Sequence, residues 1–305
     1  MTWINEHKDT IICGLLITII GGLALAGIPY VIKKVSESKT NSNITPIEMV
    51  RINGGKFVMG DNNGKPNEKP SHQVRIGSFF VDTKEVTQTD YSEIMEKCYG
   101  DLFSKPLWTK EHGLGDSVSA YYVNWYEAVL FCNARTKEAG SEKDTVYQYD
   151  SISGRINDTC VLHNVSYDLK KRGYRLPTEA EWEFMAKQKD VSNKKLSDYA
   201  QYNFNTDSTV QSVGGKKNVA GIYDLFGNVY EWCNDWYSKD YYRYSDNDNP
   251  TGPSVAEMDK KVIRGGSVCR DSEVCSPTKR MGVKASVVWK DCKPDIGLRC
   301  VRTVK

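Results

Sequence analysis

The chain has 305 residues, a formal net charge of +2, 18 tyrosines, 7 tryptophans and 9 cysteines. That length allows one large domain or two small ones. The near-neutral charge offers no basic surface for nucleic acid, so no such partner is expected. The ring content suits a loop-rich fold held by aromatic packing more than a bundle of Leu-rich helices.

Met1–Thr10 is a short, weakly charged tail. Ile11–Ile32 is almost wholly apolar and, at about 20 residues, long enough to cross a bilayer as one helix. A cleaved signal peptide is the rival reading, because Ala24-Leu-Ala26 resembles a small-residue cleavage site. The absence of a clearly basic start favours the anchor, and with it a single-pass membrane protein. Residues 33–46 form a polar linker, and the globular domain is expected over residues 47–305. Lys33, Lys34 and Lys39 follow the apolar segment, and that bias would place the domain in the cytoplasm.

Met49–Met59 reads as two strands joined by the Gly54-Gly55 turn, and Gln73–Asp82 alternates like a further strand. Val86–Lys97 has a helical pattern with Thr87 or Thr89 as cap, and Trp125–Lys137 carries apolar residues at helical spacing. Tyr147–Val165 reads as a hairpin. Pro177–Lys187 is a further helix, with Thr178 as cap and Glu181 three residues on, the capping-box pattern. Beyond Ala186 only short strands and loops are expected, and no repeat of 20–50 residues is visible.

Gly221–Tyr237 is the densest stretch, with five rings besides Phe226. Leu225–Trp232 reads as a tight turn leading into a short buried strand, with Asp224 and Glu231 flanking the turn. Two carboxylates with backbone carbonyls between them can cage a hard cation such as calcium. A polar turn capped by its own side chains is the plainer alternative.

Taken together the stretches resemble the formylglycine-generating sulfatase-modifying-factor family. The resemblance is carried by Met49–Gly60, Phe80–Gln88, Val123–Asn133 and Gly173–Phe184. The aromatic stretch, followed by Val262–Ser267 and Ile296–Arg302, completes it, so that it spans roughly residues 47–302. Its most specific strings are Arg-Leu-Pro-Thr-Glu-Ala-Glu-Trp-Glu, from Arg175, and Gly-Asn-Val-Tyr-Glu-Trp, from Gly227. The resemblance implies an α+β, C-type-lectin-like fold with little regular secondary structure. It also implies calcium beside the turn, with side chains from Asp224 and Glu231 and carbonyls from Gly227 and Val229. Gln201, where the family's second calcium site starts with asparagine, speaks against that second site.

Family enzymes oxidise a cysteine of a client sulfatase to formylglycine, using copper(I) held by two cysteines, and soft thiolates do select that ion. Those cysteines stand three and eight residues after the serine of a Gly-Gly-Ser strand. Here Ser267 is followed by Cys269, two on, and Cys275, eight on. A one-residue shift in a strand turns a side chain to the other face. Arg270 stands where many oxidases have histidine, Ser276 replaces the usual arginine, and Cys275 with Arg280 matches many non-oxidase members. The expectation is therefore a non-oxidase domain, presenting a lectin-like surface to a protein or glycan partner or standing within a membrane complex. The alternative is a copper-dependent oxidase acting through Cys269 and Cys275.

The thiohistidine-pathway branch needs three iron-binding histidines. His7, His72, His112 and His163 show no such spacing. No nucleophile elbow, P-loop or zinc site is apparent. The resemblance also pairs Cys132 with Cys300 in a disulfide, which would place the domain outside the cytoplasm against the lysine bias. Two buried thiols are the alternative.

Overall fold

In a computed structural model of the chain, the described residues are 47–188, 195–218, 221–255, 258–287 and 295–304. The tail, the apolar segment Ile11–Ile32 and the linker lie outside them. Among the described residues no helix is long and apolar enough to cross a membrane. The described residues form one compact unit.

Two four-stranded sheets organise it. The first brings both ends of the domain together, in the order β1 (Met49–Ile52), β4 (Phe79–Asp82), β14 (Val301–Thr303) and β9 (Tyr174–Arg175), all antiparallel. The second has the order β12 (Arg280–Lys284), β11 (Lys260–Arg264), β10 (Tyr230–Trp236) and β13 (Ile296–Gly297), with only the last pair parallel. β2 (Gly55–Met59) pairs with β3 (His72–Ile76). The hairpin expected over Tyr147–Val165 forms, as β5 (Tyr147–Gln148) with β8 (Ser166–Tyr167) and β6 (Ser151–Ser153) with β7 (Val161–His163).

Strand partners depart from the sequence expectation at the start of the domain. β1 and β2 do not pair with each other, and Gln73–Asp82 is two strands that belong to different sheets. The cause is a close backbone crossing. A Cβ at Gly54 would sit 2.3 Å from the carbonyl oxygen of Ile76, so the two glycine-containing corners nest and each chain segment changes sheet there.

Helices obey local rules. α1 (Gln88–Tyr99) starts at Thr87, whose side chain accepts from the Asp90 N–H. α2 (Trp125–Glu138) and α3 (Glu179–Ala186) both begin with complete capping boxes, Asn124 with Glu127 and Thr178 with Glu181. α4 (Leu196–Tyr199) and α5 (Asn203–Thr206) are single turns. Three fully buried indoles tie these layers together: Trp125 Nε1 donates to Cys233 O, Trp232 Nε1 to Val123 O, and Trp182 Nε1 to Glu231 Oε2, at 3.0, 2.7 and 2.8 Å. Each ring thereby gains burial without leaving its N–H unpaired.

Candidate functional site

β11 ends at Arg264 and runs into Gly265-Gly266-Ser267, after which the chain turns. Arg270 N–H closes that turn on Ser267 O at 3.2 Å. Cys269 therefore sits in a turn, and the face-switching argument for a strand residue does not apply to it. Its thiol contacts Ser208 O at 3.6 Å, inside a small apolar cluster with Val118, Tyr121, Val210, Val229 and Val268.

Cys275 belongs to a different cluster, with Trp182, Phe226 and Val262. Its sulfur packs on the backbone of Gly266, where a Cβ would meet it at 2.8 Å. Burial pushes its thiol up to about 12, and no neighbouring cation offsets this. The reactive form is the thiolate, so without a metal Cys275 is held as the thiol. Arg270 spans from the turn to Asp295, with Nε 2.8 Å from Oδ2.

The turn at Gly227 is built as the sequence suggests. Gly227 has φ +89°, and a Cβ there would lie 1.6 Å from Gln201 O, so no other residue fits. Asp224 and Glu231 are both 1% exposed, and both carboxylates already hold internal donors. Asp224 accepts from the Gly214 and Lys216 N–H groups. Glu231 accepts from Arg299 through Oε1 and from Trp182 through Oε2. Burial still pushes Asp224 above its ordinary range despite those amides.

A third carboxylate, not expected from the sequence, completes the cluster. Glu85 accepts from the Asn228 amide and from the Val229 N–H. Burial, then Asp224 and Glu231, raise it well above the usual carboxylate range, and Arg299 only partly compensates. Three buried carboxylates beside one guanidinium would carry excess negative charge if all were ionised, and either protons, as the raised Glu85 implies, or a cation would balance it. The side-chain oxygen of buried Gln201 also has no partner. Both features would suit a cation here. Against them, no three His, Cys, Asp or Glu side chains converge as a metal site among the described residues. A calcium ion would depend on the Gly227 and Val229 carbonyls.

Residues 34–304 match the family model of the sulfatase-modifying factor enzyme 1-like domain. The chain belongs to this family. It is 30% identical to the serine/threonine-protein kinase pkn1 of Chlamydia caviae over 91% of its own length, and it spans only 42% of that protein. It is 28% identical to the formylglycine-generating enzyme of Streptomyces coelicolor, covering 82% of this chain and 88% of the enzyme. Among solved structures, Treponema denticola variable protein 1 superposes with a TM-score of 0.67 at 26% identity, over 83% of this chain and 94% of that one. The mixed helix-and-sheet, C-type-lectin-like fold is thus that of the sulfatase-modifying-factor family.

Arg280 is a buried clamp, bidentate on Glu179 at 2.6 and 2.7 Å. Cys132 and Cys300 meet where the family pairing put them. Both are wholly buried, with sulfurs 3.7 Å apart, and they are thiols, so the expected disulfide is not formed in this structure.

Proposed function

We propose that this chain is a non-oxidase binding member of the sulfatase-modifying-factor family, held at a membrane by Ile11–Ile32 with its domain outside the cytoplasm. It would offer its loop surface to a protein or glycan partner, alone or within a membrane complex. The observation that carries the reading is the separation of Cys269 and Cys275 into two apolar clusters, with Cys275 packed on Gly266. Similar sequence occupies less than half of each of three chlamydial proteins named as serine/threonine-protein kinases, which accords with a domain used as a module.

A second reading, a copper-dependent formylglycine-generating oxidase, draws support from the likeness to the Streptomyces coelicolor enzyme over most of its length. Incubating the copper(I)-treated full chain with a Cys-x-Pro-x-Arg peptide under oxygen separates the two. The expected mass spectrum shows unchanged peptide, and Cys275→Ser changes nothing. Conversion of the peptide cysteine to an aldehyde, lost in Cys275→Ser, would establish the oxidase and end the binding-domain reading.

Calcium at Asp224, Gly227, Val229 and Glu231 is proposed as a structural ion that relieves the carboxylate excess. Ligand present at about 100 times its Kd stabilises a folded state by about 2.7 kcal/mol. The melting temperature should therefore rise with calcium over the chelated protein, and the rise should shrink in Asp224→Ala. Identical melting in calcium and in chelator would remove the ion from the proposal.

A further inference from the structure

Beyond the C-terminal end of β10, Tyr167 and the segment from Ser238 to Val255 line a cleft of 960 Å³ that no part of the copper or calcium argument uses. Tyr167, Tyr241 and Tyr244 supply its rings, and Asp240, Asp246 and Ser254 line it with carboxylates and a hydroxyl. No lysine, arginine or histidine is among the described residues that line it. Tyr241, itself buried, stands edge to face with Tyr244 with centroids 5.5 Å apart and backs that exposed ring. Tyr244 is 60% exposed, a large cost in apolar area for a residue with no partner to cover it.

The walls are fixed before any ligand arrives. Ser238 O accepts from the buried Arg280 guanidinium at 2.9 Å, and Ser238 Oγ meets the Tyr244 hydroxyl at 3.2 Å. The opposite wall is stitched to β3, where Arg75 N–H donates to Asn247 O and Asn249 N–H donates to Arg75 O, both at 2.8 Å. Its floor closes on β10 through Gly252, where a Cβ would lie 2.7 Å from the Cβ of Asp235. A cleft held by buried groups in this way loses little entropy on binding.

We propose that this cleft binds a neutral saccharide. The inference rests on the binding-domain reading above and gives it a ligand class and a place. Tyrosine faces cover the C–H faces of a sugar ring, while carboxylates and hydroxyls take its hydroxyl groups. Asp240 is partly engaged by Arg243 at 3.3 Å, whereas Asp246 is exposed and has no ion pair among the described residues. The described lining residues include no cation for a phosphate, sulfate or uronic acid, and the neighbouring Arg243 is paired with Asp240, which disfavours anionic sugars and nucleotides. The volume is at the upper end of small-molecule pockets and holds a sugar ring with its neighbour. A quaternary ammonium is the chemical competitor, since tyrosines and carboxylates also suit cations. A lone ammonium would use a ring face and a carboxylate but none of the hydroxyls of Ser238, Thr251 and Ser254 that also line the cleft.

Saturation-transfer NMR on the full chain tests the assignment, with methyl glycosides of glucose, galactose, mannose and N-acetylglucosamine as probes and choline chloride as the competitor. At least one glycoside should receive saturation at its ring C–H protons. Tyr244→Ala and Asp246→Asn, both at exposed positions, should each weaken it about tenfold or more, equivalent to about 1.4 kcal/mol, with unchanged melting. Binding of choline alone, binding of no probe, or glycoside binding that survives both substitutions would overturn the proposal. The peptide oxidation assay reads Cys269 and Cys275 instead. Failure of the cleft therefore leaves the non-oxidase reading standing, and formylglycine formation leaves the glycoside result standing.

Discussion

Arg264→Leu is expected to destabilise the domain by about 3–5 kcal/mol, the cost of breaking a buried ion pair from one side. The side chain is 0% exposed. One terminal nitrogen lies 2.6 Å from Glu183 Oε2 and 2.8 Å from Pro277 O. The other reaches Thr278 O and Lys279 O at 3.1 and 2.9 Å. Removing it leaves Glu183 with Lys187, Tyr242 and the Gly60 N–H, and leaves three carbonyls of the loop after Cys275 without a donor. Arg264→Lys should fall between, because a point charge cannot reproduce the guanidinium fork. Urea unfolding monitored by tryptophan fluorescence provides the measurement. A change below about 1 kcal/mol for the leucine variant would contradict the buried-network account.

The same pair contributes to the acid limb of stability. Burial alone would raise the Glu183 carboxyl, but Arg264, then Lys187 and the Gly60 N–H, outweigh it and hold it below the usual 4.5. A carboxyl depressed in the folded state stabilises above its unfolded pKa, and that contribution drains away as pH falls through the folded value. The leucine variant should therefore show a flatter stability curve below pH 4.5 than the parent.

What was legible in the sequence divides by the range of the interaction. The capping boxes at Asn124 and Thr178 involve residues three apart, so local chemistry alone located both helices. The strand after Gly227 was visible because a glycine-permitted turn preceded a run of rings. Strand partners were not visible, because Gly54 had to meet Ile76 across a segment whose path no local propensity encodes. Glu85 escaped for the same reason. It meets Asn228 and Val229 from 143 and 144 residues away, and nothing in its own neighbourhood marks it as buried. Lys261, which looks like an ordinary surface lysine, is buried with its ammonium 3.6 and 3.9 Å from the ring centroids of Trp236 and Trp125. The cleft joins Tyr167 to a loop some eighty residues later in the chain, beyond the reach of any spacing rule.

The cysteine pair supplies the other large expected effect. Oxidising Cys132 and Cys300 to a disulfide should stabilise the domain by about 3–5 kcal/mol, because the bridge closes a long loop in the unfolded chain. The residues are 168 apart in sequence. Their surroundings already fix the two backbones. Cys300 N–H donates to Asp82 Oδ2 at 3.0 Å, and Asp82 pairs with Arg135, one helical turn beyond Cys132, at 2.6 Å. The sulfurs need to close from 3.7 Å to about 2.05 Å, a movement that side-chain rotation can supply. Burial, then the neighbouring Cys300, pushes the Cys132 thiol well above its ordinary range. In the folded protein little thiolate exists to react, so the bridge should form during folding and resist reductant afterwards. Protein refolded with an oxidant should unfold at higher denaturant than protein refolded in dithiothreitol, and the difference should vanish in Cys300→Ser. Peptide mapping should recover the Cys132–Cys300 link. Equal stability of the two preparations, with both cysteines alkylated, would leave a pair of core thiols. It would also return the question of compartment to the lysines that follow the apolar segment. A recovered bridge instead shows that the fold accepts the pairing and can use the stabilisation that an oxidising compartment would supply.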